Sequence, residues 1–196
     1  MVNQNGSVIV AQKADINTAG QDIDNSNTQK NGGIHAEYLH IQSGNLNNQA
    51  GAISSRKTNI YAQNTINDKG QISATEQLDL SMQDIQNQAG SIQSNKILNL
   101  NAGKLDNHAG TIRAETADLK TKDLINTANK NLKDAGIQAA TLSINTGTLD
   151  NSEGQIISNH HLPLTVRQAL INTQGLIASG GGLDIGSDAS MLPGDV

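Results

Sequence analysis

The chain has 196 residues, room for one good-sized domain, but its composition is unlike that of a compact globule. Only Tyr38 and Tyr61 are aromatic, whereas 24 Asn and 17 Gln accompany 16% charged residues. A net charge of −5 with interleaved signs argues against a nucleic-acid or anionic-membrane surface, and no apolar run approaches the ~20 residues of a membrane span.

In chain order, one short pattern returns throughout. An aliphatic residue, usually Ile in a Gly-x-Ile context, is followed two residues later by a small one. Val8 with Val10 opens the series. Ile34 with Ala36, Ile53 with Ser55, Ile72 with Ala74 and Ile92 with Ser94 follow. Ile112 with Ala114, Ile137 with Ala139, Ile156 with Ser158 and Ile177 with Ser179 complete nine copies. Successive spacings are 26, 19, 19, 20, 20, 25, 19 and 21 residues. A second apolar pair comes next in each copy: Leu39/Ile41, Leu78/Leu80, Leu98/Leu100, Leu142/Ile144 and Leu183/Ile185, with Thr58/Ile60 and Ala117/Leu119 as weaker versions. A third apolar site stands alone: Leu46, Ile66, Ile85, Leu105, Leu149 and Ile171, each followed by Asn, Asp or Gln.

Within each pair the apolar residues are two apart. That is strand periodicity, and the i, i+3, i+4 spacing of a helix is missing. Three short strands per copy, each bounded by Gly, Asn or Asp, cannot stand alone. They must pair with their equivalents in neighbouring copies. The predicted fold is all-β: a parallel β-helix (β-solenoid) of about nine coils, each of roughly 20 residues, forming a single domain over 1–196. At strand spacing such a rod is about 45 Å long. The predicted core column includes Ile53, Ile72, Ile92, Ile112 and Ile156. Ser or Ala fills the second inward site, where the coil turns tightly. Two residues after Leu105 stands Asn107, and Asn25, Asn48, Asn87 and Asn151 hold the matching site. Stacked amides there are expected to bond along the axis, as polar ladders do in cross-β stacks. The recurrent glycines are expected at corners with positive φ.

The units "LDNHAGTIRA", "LNNQAGAISS", "IQNQAGSIQS" and "LDNSEGQIIS" closely resemble the filamentous haemagglutinin repeat. That repeat belongs to large bacterial exoproteins of two-partner secretion systems, both haemagglutinin-type adhesins and contact-dependent growth inhibition exoproteins. The likeness covers nearly the whole chain and is specific for the class, not for one protein. It implies a right-handed β-helix. It also implies export through a dedicated outer-membrane transporter of the two-partner type, and display as a fibre on the bacterial cell surface. The expected function is a stalk that spaces or presents a binding or toxin region. The partners are then a host or neighbouring-cell receptor, with no nucleic acid and no membrane span. The chain has no cysteine, which leaves the compartment open, because a self-stacking secreted fold needs no disulfides. The start, "MVNQNGSVIVAQ", does not read as a signal peptide. For a secreted parent the chain is expected to be an internal fragment.

Two stretches depart from the repeat at one corner: "NSNTQKNGG", residues 25–33, and "NTANKNLKDAG", residues 126–136. Two readings stand. They are tolerated insertions, or they are display loops that contact a partner through Asn27, Lys30, Asn31, Asn129, Lys130 and Lys133. The first reading takes precedence. A third departure is "ISNHHLPLTVRQALIN", residues 157–172. Pro163 lacks a ladder N–H and is expected at a bend or strand edge. Leu164/Val166 is expected to replace the usual second pair.

No catalytic, cofactor or metal site is predicted. His160 and His161 are adjacent, so on a strand they face opposite sides. A polysaccharide-degrading β-helix enzyme needs clustered carboxylates at a defined separation. Asp106 and Asp150 are expected two coils apart, with Asn126 in register between them. Glu76, Glu115 and Glu153 have no evident partners, and two tyrosines offer little surface for sugars. Thr146/Thr148 is isolated, so an ice-binding Thr ladder is rejected. "SGGGLDIG" lacks the Lys-Ser/Thr of a phosphate loop and reads as a corner. Open ends of the stack predict end-to-end association at high concentration.

Overall fold

The computed structural model describes residues 1–129, 131–132 and 134–187. They form a parallel β-solenoid with no α-helix among the described residues. Fourteen strands follow in order: β1 (Ser7–Asn17), β2 (Ile23–Asp24), β3 (Gly33–Gln42), β4 (Leu46–Asn47), β5 (Ala52–Ile66), β6 (Gln71–Gln86) and β7 (Ser91–Ser94), then β8 (Ile97–Asp106), β9 (Thr111–Ile125), β10 (Gly136–Asp150), β11 (Gln155–Ser158), β12 (Leu162–Ile171), β13 (Leu176–Ser179) and β14 (Leu183–Gly186). Several run continuously through a bend, so one strand supplies two or three sides of a coil.

The first side stacks β1-β3-β5-β6-β7-β9-β10-β11-β13. Its inward column is Val8, Ile34, Ile53, Ile72, Ile92, Ile112, Ile137, Ile156 and Ile177, each opposite the next. Nine levels bound eight complete turns. The seven isoleucines from Ile34 to Ile156 are fully buried. Each removes a branched side chain from water, worth about 1.5–3 kcal/mol before chain entropy is counted. The second inward site holds Val10, Ala36, Ser55, Ala74, Ser94, Ala114, Ala139, Ser158 and Ser179. Here the chain bends, and the serine hydroxyls satisfy bend groups: Ser158 Oγ donates to the carbonyls of Ala140 (3.3 Å) and His161 (3.4 Å).

The second side buries Leu39/Ile41, Thr58/Ile60, Leu78/Leu80, Leu98/Leu100, Ala117/Leu119 and Leu142/Ile144. In the next coil the inward pair is Leu162/Leu164, opposite Leu183 and Ile185, and not Leu164/Val166. Val166 instead lies opposite Thr146, one inward step further on. Pro163 sits within β12 and points outward between the two leucines. The pairing of β12 with β10 begins only at Leu164, so the missing N–H interrupts no ladder bond there. Thr146 is fully buried and accepts from Thr121 Oγ1 at 2.7 Å. It faces the core and belongs to no outer threonine row. Gly180–Gly182 lie between β13 and β14, at a corner.

The third side corrects the expected register. Its inward column is Ile23, Leu46, Thr65, Ile85, Leu105, Leu124, Leu149 and Leu170. Ile66 and Ile171, assigned to it from sequence, face outward at 38% and 49% exposure. A slip of one residue moves a side chain to the other face. The same slip places Ile125, not Asn126, between Asp106 and Asp150.

Candidate functional site: an asparagine ladder and two corner insertions

Two residues beyond each third-side site stands an asparagine. These eight, with Asn3 ahead of them, form one continuous chain of amides: Asn3, Asn25, Asn48, Asn67, Asn87, Asn107, Asn126, Asn151 and Asn172. Each Nδ2 donates to the Oδ1 of the next, at 2.7–2.8 Å. All eight bonds run in the same direction. The expected members Asn25, Asn48, Asn87, Asn107 and Asn151 are all present. Asn3, Asn67, Asn126 and Asn172 complete the column. The seven from Asn25 to Asn151 are fully buried. The second Nδ2 proton faces backbone carbonyls, as from Asn48 to Gln71 O (3.1 Å) and Gly51 O (3.4 Å). Those carbonyls fix which end of each amide is the donor. A buried amide is tolerated only when so paired.

The residue before the ladder has its own task. Asp24, Asn47, Asp106 and Asp150 each accept from the backbone N–H two positions on, at 2.9–3.1 Å. This Asx turn starts the corner. It explains why acids and amides recur there.

The turn's left-handed residue is not glycine. Two positions after each ladder asparagine φ is positive: Asn5, Asn27, Ala50, Lys69, Ala89, Ala109, Ala128, Glu153 and Gln174, between 48° and 58°. The glycines that follow at 51, 70, 90, 110, 154 and 175 are not among the positive-φ residues. They are needed for close approach instead. A Cβ on Gly110 would overlap the Asn87 carbonyl oxygen and stand 2.5 Å from Asn107 Oδ1. The expectation of positive φ at these glycines is therefore corrected: their missing side chain makes room for the ladder.

In an ordinary coil this glycine also links two levels. Its carbonyl accepts from the first N–H of the next coil's strand, as Gly51 does from Gln71 (2.8 Å) and Gly70 from Ser91 (2.9 Å). The two insertions displace that carbonyl. At the equivalent position, three after the ladder residue, stand Thr28 and Asn129, both fully buried. Thr28 Oγ1 accepts from Ala52 N at 3.0 Å, and Asn129 Oδ1 accepts from Gln155 N at 2.7 Å. A side-chain oxygen thus replaces the lost backbone acceptor in both. Each insertion then rejoins the first side through a left-handed glycine, Gly33 (φ 64°) or Gly136 (φ 86°).

The insertions lie against the rod. A 3₁₀ turn, Gln29–Asn31, forms in the first, and Gln29 Nε2 donates to Lys69 O at 2.7 Å. In the second, Asp134 pairs with Arg113 at 3.1 Å. Among the residues expected to make partner contacts, Asn27 forms the left-handed turn and Asn129 is buried. Lys30 is exposed. Lys130, Lys133 and the Asn31 side chain lie outside the described residues.

The remaining candidates find local roles. His161 Nε2 lies 2.8 Å from Asp184, and His160 Nδ1 3.3 Å from Thr141 Oγ1. Glu76, expected to be unpartnered, binds Arg56 at 2.8 Å, and Arg56 also reaches Glu37 at 3.0 Å. This tie spans three coils on the outside. Asp22 holds its carboxyl below the ordinary range, because the Asn45 backbone N–H and side-chain amide both donate to it. Among the described residues no helix is long and apolar enough to cross a membrane. In comparisons with known proteins, no family model, no curated protein and no solved structure matches the chain.

Proposed function

We propose that this chain is a stalk segment of a secreted, surface-displayed bacterial fibre, of adhesin or contact-dependent inhibition type. It would space or present a binding or toxin region. The observation that carries this reading is the unbroken asparagine ladder, which joins every described level. A rod whose every coil contacts only its neighbours suits both extension and export. It can add coils in order as the chain emerges from an outer-membrane transporter. Glu37, Glu76 and Asp134 tie the outer surface, and Asp24, Asp106 and Asp150 start turns, roles that suit a stalk.

A second reading is direct receptor or matrix binding through residues 25–33 and 126–136. Leu132, 46% exposed on the second insertion, favours it. The bonds from Gln29 and Asp134 back onto the rod favour the stalk. Deletion of one whole interior coil, residues 87–106, in the surface-displayed parent protein separates the two. A stalk stays folded, re-forms the ladder from Asn67 to Asn107, and keeps target-cell binding or inhibition. Loss of that activity in a folded deletion protein would sink the stalk reading. If the isolated chain binds target cells, removing residues 130–135, which keeps Asn126 in the ladder and Asn129 on Gln155 N–H, decides whether the second insertion is responsible.

A further inference from the structure

Two tyrosines look too few for sugars by count, but the fold puts both on one outer side, in neighbouring coils. Outward rows of the second side align Lys13, Tyr38, Lys57 and Gln77; then Asp15, His40, Asn59, Asp79, Asn99 and Asp118; then Gln42, Tyr61, Ser81, Asn101 and Lys120. Tyr38 lies opposite Lys57, and Tyr61 is four residues further along that strand. Their Cα positions are therefore about 14 Å apart on the diagonal. The two tyrosines are 42% and 49% exposed.

Each ring is held in place from one side. The Arg56 guanidinium stands 4.4 Å over Tyr38, and His40 lies 5.7 Å from Tyr61 with the rings tilted at 57°. Two shallow depressions that share Asp79 border the rings, one reaching from Tyr38 back to Lys13 and the other from Tyr61 on to Lys120. One, of about 430 Å³, is lined by Tyr38, His40, Lys57 and Asn59. The other, of about 260 Å³, is lined by Tyr61, Asn99, Asn101 and Lys120. Asp79 is already oriented: Asn99 and Gln77 each donate to it at 2.7 Å.

We propose that this surface is a binding site for a neutral oligosaccharide. A pyranose ring has an apolar C–H face and a rim of hydroxyls. The first needs an exposed aromatic ring. The second needs fixed amides and carboxylates at close spacing. This surface offers both, in rows repeating at the coil spacing. The charges exclude other classes. Lys13, Lys57 and Lys120 balance Asp15, Asp79 and Asp118, so a polyanion gains no net attraction. Two separated rings make no continuous apolar patch for a lipid surface or an amphipathic helix. The strands here are paired on both flanks, so an extended peptide finds no free edge to join. Two tyrosines with Cα positions about 14 Å apart favour a short chain of sugars over a monosaccharide.

The test uses the chain as it stands. The probes are maltotetraose, cellotetraose and lacto-N-neotetraose within a printed panel of neutral glycans, with a heparin tetrasaccharide as the polyanion. The chain has no Trp, so its intrinsic emission arises from Tyr38 and Tyr61 alone. At least one neutral oligosaccharide should give a saturable emission change that survives a rise from about 50 to about 500 mM salt. By calorimetry, Tyr38→Ala and Tyr61→Ala should each weaken binding by about tenfold or more, while Tyr61→Phe keeps it. Both side chains point outward, and an unchanged far-UV spectrum checks that the variants fold. Asp79→Ala gives a second loss that spares both rings. Three results overturn the proposal: no neutral glycan bound, equal binding by the double Tyr→Ala variant, or salt-sensitive binding of heparin alone. None of them touches the stalk reading, which rests on the interior ladder.

Discussion

Replacing Asn87 by Asp changes one atom of the ladder and almost nothing of its shape. Asn87 is fully buried and accepts from Asn67 Nδ2 at 2.7 Å. Its own Nδ2 donates to Asn107 Oδ1 at 2.7 Å, with Thr111 O and Gly90 O each at 3.3 Å. An ionised aspartate keeps the bond from Asn67. Its other oxygen then faces three acceptors and no donor. A buried charge left without compensation destabilises by about 3–5 kcal/mol. A protonated aspartic acid can donate to Asn107 Oδ1 and repair the ladder, so folding raises this carboxyl's pKa. The folded state then binds more protons than the unfolded one. Stability relative to the wild type should fall as pH rises through the unfolded value of about 3.9, and continue to fall until the raised folded value is passed. Below that window the variant should approach the wild type. Denaturant melts of Asn87→Asp, Asn87→Ala and wild type from acid to neutral pH read this directly. The alanine variant loses the same bonds without a charge, so its deficit should be flat with pH. A deficit for Asn87→Asp that is equally flat, or under about 1 kcal/mol at neutral pH, would refute the buried, directional ladder.

Other perturbations test separate parts of the coil. Thr65 is buried in the third-side column between Leu46 and Ile85, and its hydroxyl has no partner. Thr65→Val should raise the melting temperature, with a gain of about 1 kcal/mol, and an unchanged or lowered value counts against this packing. Ala89 has φ 50°, whereas a Cβ on Gly90 would overlap Asn67 O. Ala89→Gly should therefore be neutral or stabilising by up to about 1 kcal/mol, and Gly90→Ala should destabilise by about 2 kcal/mol or more. Equal effects in thermal melts would mean that the corner is misassigned. Thr28→Val removes the acceptor of Ala52 N–H and should lose about 1–3 kcal/mol. Faster amide exchange at Ala52 should accompany it, and Thr28→Ser should restore both.

The first side was legible because its signal is redundant. Gly-x-Ile-x-Ser or Ala recurs with a small residue wherever the bend allows nothing larger, and every Ile so assigned pairs with its copies. The third side was legible only in part, since a single apolar residue per coil carries no period of its own. At 65–66 the inward residue is Thr and the outward one Ile, so hydrophobicity pointed to the wrong neighbour. At 170–171 both are apolar. That same slip hid Asn67 and Asn172 from the ladder. A better signal was present: Asn3, Asn48, Asn67, Asn87, Asn107, Asn151 and Asn172 each precede a first-side Val or Ile by five residues. Distance to the well-defined column locates the ladder more surely than local hydrophobicity does. The tyrosine surface could not be read at all before the coils were aligned, because Tyr38 and Tyr61 share a side only through the register of β3 on β5.

Both insertions fall at the ladder corner for a reason of register. An extra residue on a straight run of strand would send every later side chain to the other face, and the single extra residues of β1, β6 and β12 are absorbed at bends, before Lys13, Gln77 and Ala169. At a corner, only the two flanking anchors must keep their places. Here the anchor before is a ladder asparagine, held by amides above and below, and the anchor after is a first-side isoleucine in a fully buried column. Added residues between them disturb neither, and one element alone is lost: the glycine carbonyl that receives the next coil's strand. An unpaired N–H there would be buried. Thr28 offers a hydroxyl and Asn129 an amide, yet both place a side-chain oxygen at that point. Two chemically different solutions to one unmet donor imply that the constraint is the donor itself. Length and composition beyond that position are free, so this corner is where such a rod can vary its surface without altering its core.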